Sequence, residues 1–376
     1  NINMNKEYTS LGLMSGTSGD GVDASIIRSD GLSKYEVILN KYYEYDKEIY
    51  KNIHLLKEKI NSYKDLKNYS KDLKNLERKI TMFHGKVANE VSKEIKINVV
   101  GFHGQTILHS PEEKISCQLG DGNLLSQITK KNIVYDFRQN DIKNGGEGAP
   151  LTPIFHQLIF KQNKIEVPSC ILNIGGISNI TIVMNYYPFN FTSKDIGPGN
   201  CLIDSWVRKN SDKKFDEHGK LASIGKVNEI ILEQAQELYA NRNNQKNSSL
   251  DVNDFDISFA RGLSLEDGAS TLTDFTGRII GSSLFSILSN VREKILKVLV
   301  CGGGRKNKYL LNIIKEITSD KILLQSIDDY GIDGDFVESQ AFAYLAIRSL
   351  INEPITFPDT TGCPKPLTGG NIILFK

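Results

Sequence analysis

Residues 15–21 read Ser-Gly-Thr-Ser-Gly-Asp-Gly: three hydroxyls, three glycines and one carboxylate in a row between the apolar runs "LGLM" and "VDASII". A simple hairpin needs only about two to five loop residues, so the surplus of backbone N–H groups and hydroxyls points to a bound group. A polyphosphate with its metal ion suits them. A second candidate is Asp195 in "KDIGPGNCLIDSW", beside a Gly-Pro-Gly-Asn turn that would hold the carboxylate still. Phosphoryl transfer asks little covalent chemistry of a protein: a base to orient the nucleophile and charges to steady the phosphates. Asp195 suits the base, and Asp20 suits Mg²⁺ or its waters. An Asp at such a turn can also cap it, and spacing alone leaves both roles open. His103 in "GFHGQT" and His156 in "PIFHQL" are the histidines nearest glycine loops; a lone histidine at a strand end serves equally as hydrogen-bonded structure.

Five glycine turns, at 15–21, 101–105, 145–148, 175–179 and 302–304, each follow a strand-like run. In open α/β sheets such strand ends converge on one crevice. Standard single-motif sites are missing: "GKLASIGKV" has the wrong spacing for a P-loop, and no Rossmann G-x-G-x-x-G follows the first strand. Zinc-ligand spacing and a nucleophile elbow are missing too. A nucleotide would therefore be held by several glycine turns from both halves of the chain, as in actin-like and sugar-kinase folds.

These loops must be positioned by a chain of 376 residues, long enough to predict two domains. A composition of 39% hydrophobic and 24% charged residues with net charge +1 argues against a dedicated nucleic-acid or membrane-surface binder. No apolar run approaches a transmembrane span, and "NINMNKEYTS" lacks the apolar core of a signal peptide. Five scattered cysteines form neither a disulfide framework nor C-x-x-C pairs; they read as small core residues in a reducing cytoplasm. Residues 45–97 repeat apolar positions at helical spacing (Ile53, Leu56, Ile60, Leu73, Leu76, Ile80), predicting amphipathic helices whose lysines face solvent. "INVVGFHGQTILHS" predicts a buried strand ending in a glycine loop, and "NIVYDFRQND" another strand. "SCILNIGGISNITIV" repeats the opening strand–turn–strand pattern about 160 residues on, one domain length later. "KVLVCGGGRKNKYL" predicts a strand, three glycines and a helix. Residues 241–257 predict a surface loop, and the last forty residues one helix followed by an irregular tail.

Taken in order, "LGLMSGTSGDGVDA", "GFHGQT", "DFRQNDIKNGGEGAPLTPIFH", "LNIGGISNIT", "DIGPGNCLIDSW", "FDEHGKLA", "VCGGGRKN" and "ESQAFAYLA" resemble the anhydro-N-acetylmuramic acid kinase family from Leu11 to about Gly370. The resemblance implies an α/β fold of two actin-like (ribonuclease H-like) domains with a nucleotide cleft between them. The first would cover 1–140, completed by 340–376, and the second 141–339. It implies a cytoplasmic enzyme of peptidoglycan recycling that uses ATP, Mg²⁺ and water to open the 1,6-anhydro bridge and phosphorylate O6. Homodimers are the assembly it implies. Asp195 matches the family's general base. Gly16, Thr17, Ser18, Gly19, Asp20, Gly21, Val22 and Asp23 match the phosphate loop, joined by Gly175, Gly176, Gly302, Gly303 and Gly304. His103, Gln105, Arg138, Asp141 and Glu338 would line the sugar pocket, and Asp20 would face the metal. The chain departs from the family at Gly19, where a large apolar residue is usual, and at Glu147, where glutamine is common. The basic segment K-S-T-G-R-E is here "KNSSLDVNDF", without its arginine. The alternatives are a kinase for another amino sugar, or an actin-like ATPase serving as a binding or regulatory module.

Overall fold

Strand β1 (Tyr8–Ser15) carries Leu11 and Leu13, both fully buried, with Gly12 between them. That pattern belongs to a strand covered on both faces. The structure, a computed structural model, describes residues 6–186, 190–243, 255–319 and 322–376. The chain divides into two compact units, Asn1–Ile165 with Phe336–Lys376, and Glu166–Asp335.

In the first unit β1 is followed by β2 (Gly21–Ser29) and β3 (Tyr35–Glu44), then helices α1 (Lys47–Lys59), α2 (Tyr63–Asn68) and α3 (Ser70–Val91). Next come β4 (Val99–Ser110), β5 (Ile115–Leu119), α4 (Gly122–Thr129), β6 (Ile133–Tyr135), α5 (Gln139–Lys143) and α6 (Pro153–Gln162). The amphipathic helices expected in 45–97 are present. Asp46 caps α1 by accepting from Ile49 N, and Ile49, Ile53 and Leu56 turn inward. The second unit opens with β7 (Ser169–Ile174), β8 (Ile177–Asn185) and β9 (Asn190–Pro198). It continues through α7 (Cys201–Asn210), α8 (Lys220–Ile224), α9 (Glu229–Asn243), α10 (Leu265–Ser289), β10 (Val298–Cys301), α11 (Lys308–Thr318) and β11 (Leu324–Ser326). The chain then returns to the first unit with α12 (Val337–Leu350), α13 (Pro358–Thr361) and β12 (Asn371–Ile373).

The two sheets repeat one topology. The first runs β12-β6-β4-β1-β2-β3, with β5 paired to β4, and the second runs β11-β10-β7-β8-β9. In each, three consecutive strands form an antiparallel meander, and later strands add in parallel beside the first of them. This is the α/β, actin-like (ribonuclease H-like) arrangement, present twice. The C-terminal ends of β1, β7 and β10 lead into the glycine turns that begin at Gly16, Gly175 and Gly302, whereas the expected strand before the 145–148 turn is helix α5.

Three local expectations differ from the structure. Residues 101–105 are not a loop after a strand but lie inside β4, where the pairing with β1 shifts register between Leu13 and Met14. Gly104 takes φ +78° at that bulge, which glycine adopts without steric cost. The irregular tail contributes β12, an edge strand antiparallel to β6. Helix α9 extends to Asn243, into the predicted surface loop, whose residues 244–254 lie outside the described residues; so does the departing segment 246–255, except Phe255. Among the described residues no helix is long and apolar enough to cross a membrane.

Helix α12 lies unusually close to the first sheet. A Cβ on Gly12 would sit 1.8 Å from Ser339 O, and one on Gly101 2.3 Å from Phe342 O. Gly12→Ala is therefore expected to destabilise the fold by about 3 kcal/mol, seen as a lower denaturant midpoint. Gly16→Ala, whose Cβ meets nothing within 4 Å, should leave the midpoint in place. Equal midpoints for the two variants would contradict this seating of α12.

Candidate active site

At the β1–β2 turn, Gly19 N donates to Gly16 O at 3.1 Å, and Gly19 takes φ +63°. Glycine at this departing position therefore relieves backbone strain rather than merely loosening the loop. Behind the turn, Ser15 Oγ donates to Gln105 Oε1 at 2.6 Å, and Gln105 Nε2 donates to Gly16 O at 2.9 Å. The Tyr45 hydroxyl lies 2.8 Å from Ser15 Oγ. Burial pushes its phenol pKa up, so it stays protonated and can donate to Ser15. The loop proper is Gly16–Asp20; Gly21, Val22 and Asp23 begin β2, with Val22 in the core. Gly16 faces open space, whereas a Cβ on Gly21 would meet Tyr43 O at 2.2 Å. Burial, then Asp20, Glu44 and Asp23, raise the pKa of Tyr42, which marks these carboxylates as neighbours of one ring. Among the described residues no three His, Cys, Asp or Glu side chains are grouped to hold a metal ion. A Mg²⁺ that keeps its waters and binds through phosphates plus one carboxylate, such as Asp20, fits that donor set.

Five further residues were expected to line a sugar pocket, and the first unit sorts them into two kinds. Arg138 Nη1 donates to Gly148 O at 2.8 Å and Nη2 to His103 Nε2 at 2.9 Å. Because Nε2 accepts, His103 Nδ1 carries the proton and donates to Gly104 O at 2.8 Å. Arg138 and Glu338 are partly exposed. Burial raises the Glu338 carboxyl pKa and the Arg138 charge works against the rise, which places the two side chains in one electrostatic neighbourhood. Gln105 and Asp141 are buried, with 0% and 1% exposure. Asp141 accepts from Gly148 N through Oδ2 and from the Thr361 hydroxyl through Oδ1, both at 2.7 Å. Both residues spend their polar atoms on holding loops, Gln105 the hairpin and Asp141 the 145–148 turn. Glu147, a departing position, is tied through its N–H to Thr361 O at 2.9 Å.

In the second unit Asp195 pairs with Asn179 and Gly197 with Ser178, so Ile196 is the extra residue of a β-bulge. The bulge leaves Asp195 partly exposed while residues 196–199 are buried. The Gly-Pro-Gly-Asn turn is knitted to the β7–β8 tip. Gly199 N donates to Gly176 O at 2.8 Å, Asn200 N to Gly175 O at 2.7 Å, and Ser178 Oγ to Pro198 O at 3.0 Å. Gly302 and Gly304 pack against Asn173 and Ile174, where a Cβ would come within 2.6 and 2.2 Å. A Cβ on Gly175 or Gly303 would meet nothing closer than 3.7 Å, so these two have room for a ligand. His156 is buried within α6, and Trp206 is a core residue donating to Leu265 O at 2.9 Å. Cys170, Cys301 and Cys363 are buried, and Cys117 and Cys201 partly so.

Comparison with known proteins decides between a kinase and a binding module. The family described as anhydro-N-acetylmuramic acid kinase matches residues 8–374. The enzyme of that name from Pelagibacter ubique is 56% identical over 98% of this chain and 99% of its own. Those of Zymomonas mobilis and Agrobacterium fabrum are 37% and 35% identical, over 96% and 98% of this chain and 98% and 100% of theirs. The chain belongs to the anhydro-N-acetylmuramic acid kinase family. It is thus an ATP-using phosphotransferase with a small-molecule acceptor.

Three buried histidines of this family member are held neutral. His84, His103 and His156 are pushed down to about 4, 3 and 3, chiefly by burial, with Arg138 adding to the effect at His103. Below about pH 6.5 the unfolded chain binds protons that the folded chain refuses, so their contribution to stability is lost as pH falls. Denaturant unfolding at a series of pH values should show stability falling between about pH 6 and 4. His103→Gln should flatten that fall by up to about 1.4 kcal/mol per pH unit. An unchanged slope would contradict a neutral His103.

Proposed function

We propose that this chain converts 1,6-anhydro-N-acetylmuramic acid, ATP and water into N-acetylmuramic acid 6-phosphate and ADP. Membership in the family supports the reaction, and the placement of Asp195 carries the mechanism. The carboxylate stands on a bulge whose backbone is fixed on both sides, beside an open glycine turn. Asp195 takes a proton from water as that water attacks the anomeric carbon. The C1–O6 bond breaks, and its electron pair goes to O6. O6 attacks the γ-phosphorus, and the bond to the β-phosphate oxygen breaks to release ADP. Phosphate capture replaces the acid that a glycosidase would use on its leaving oxygen.

The hairpin 16–20 holds the phosphates through its N–H groups and hydroxyls. Mg²⁺ bound through Asp20 and its waters would neutralise developing phosphate charge. Arg138 and Glu338 contact the sugar, with His103, Gln105 and Asp141 holding the loops behind them. The enzyme works in peptidoglycan recycling in a bacterial cytoplasm.

Asp195→Asn keeps the size of the side chain and loses the base. It should lower kcat by about 10²–10⁴-fold while the melting temperature and ADP affinity, measured by calorimetry, stay in place. Turnover within a few-fold of the parent enzyme would overturn the base role.

A further inference from the structure

A loop can offer N–H groups to an anion only if its carbonyl oxygens face elsewhere, because an exposed carbonyl repels a phosphate. Two carbonyls of the β1–β2 turn are drawn away from it. Gly16 O accepts from Gln105 Nε2 and from Gly19 N. Thr17 O accepts from Lys57 Nζ. Lys57 belongs to the last turn of α1, one residue after Leu56, which with Ile53 anchors that helix in the core. The same helix touches the loop a second time: a Cβ on Gly19 would lie 2.9 Å from Ile53 Cγ2. Helix α1 thus backs the hairpin, with one ammonium group directed at its backbone.

Charge makes this contact matter. Asp20 lies in the hairpin and Asp23 begins the strand after it, and with Glu44 they add to the rise in the Tyr42 pKa; a polyanion bound at such a loop is favoured by a nearby cation. Lys57 supplies that cation from behind the loop. Its spacing in the sequence is that of a solvated lysine, and a position in the last turn of a helix suits any lysine through the helix dipole. The hydrogen bond to Thr17 O is what separates it from Lys59, the other basic residue of that turn.

We infer that Lys57 is a positioning residue for the nucleotide phosphates, pinning the Thr17 carbonyl back onto α1 and setting a positive charge behind the N–H groups of the loop. The inference rests on the reading of the hairpin as the phosphate loop, and its test keeps the two apart. Lys57→Met retains the apolar stem, and Lys57→Arg retains charge and donors. Binding of ADP and of adenosine is measured by calorimetry for both variants and for Gly16→Val, whose branched side chain enters the open space before the loop. Lys57→Met should weaken ADP about tenfold or more, leave adenosine unchanged, and raise the KM for ATP but not that for the sugar. Lys57→Arg should hold ADP within a few-fold of the parent. If Gly16→Val loses ADP while Lys57→Met keeps it, the Lys57 inference fails and the phosphate loop stands. If both variants keep ADP, the phosphate-loop reading itself fails. Equal losses of ADP and adenosine in Lys57→Met would mean a structural role only and would also overturn the inference.

Discussion

Gln105 spends both ends of its amide on the β1–β2 turn, accepting from Ser15 Oγ and donating to Gly16 O, with no exposed surface of its own. Hydrogen bonds of this kind are what the proposed site depends on. A loop that must meet a ligand with bare backbone cannot be held from the front, so it has to be held from behind. Each bond has a modest net worth, about 1 kcal/mol, but a buried amide left unsatisfied costs more than that. The native position of the loop is favoured by the penalty attached to every other one.

The same logic recurs at each turn with different chemistry. Asp141 braces the 145–148 turn through Gly148 N and the Thr361 hydroxyl, and Gly148 O in turn receives Arg138. In the second unit the brace is backbone: the Gly175 and Gly176 carbonyls accept from the start of α7 and the turn before it. The backbone of Asp195 is thereby fixed on its strand. Glycines divide accordingly. Gly12, Gly101, Gly199, Gly302 and Gly304 are filled by neighbours, while Gly16, Gly175 and Gly303 are open or nearly so. Only the second kind leaves room for a ligand.

This division explains what the sequence could reveal. The two hairpins and their spacing were legible because apolar strands ended by glycine have a local pattern, and the duplication appears in the sheets as the same strand order. The stretch 101–105 reads locally as a loop because its glycines look like a turn. In the fold Gly101 makes room for α12, more than 200 residues later in the chain, and Gly104 forms a bulge within β4. The loop-holding bonds of Asp141 and Gln105 were not legible, since their partners are distant: Thr361 is 220 residues from Asp141 and Ser15 is 90 from Gln105. Lys57 carried no signal at all. A lysine aimed at a carbonyl and a lysine in water occupy the same helical spacing.

In the proposed mechanism one carboxylate, Asp195, activates water against the anomeric carbon while the freed O6 takes the phosphate. Running the reaction in ¹⁸O-enriched water and following the product by mass spectrometry from the earliest time points tests this directly. The account predicts prompt label in the C1 hydroxyl and none in the transferred phosphate, ahead of the slow exchange at the anomeric centre that a time course subtracts. Product that begins unlabelled at C1, or that carries solvent oxygen in its phosphate, would contradict it.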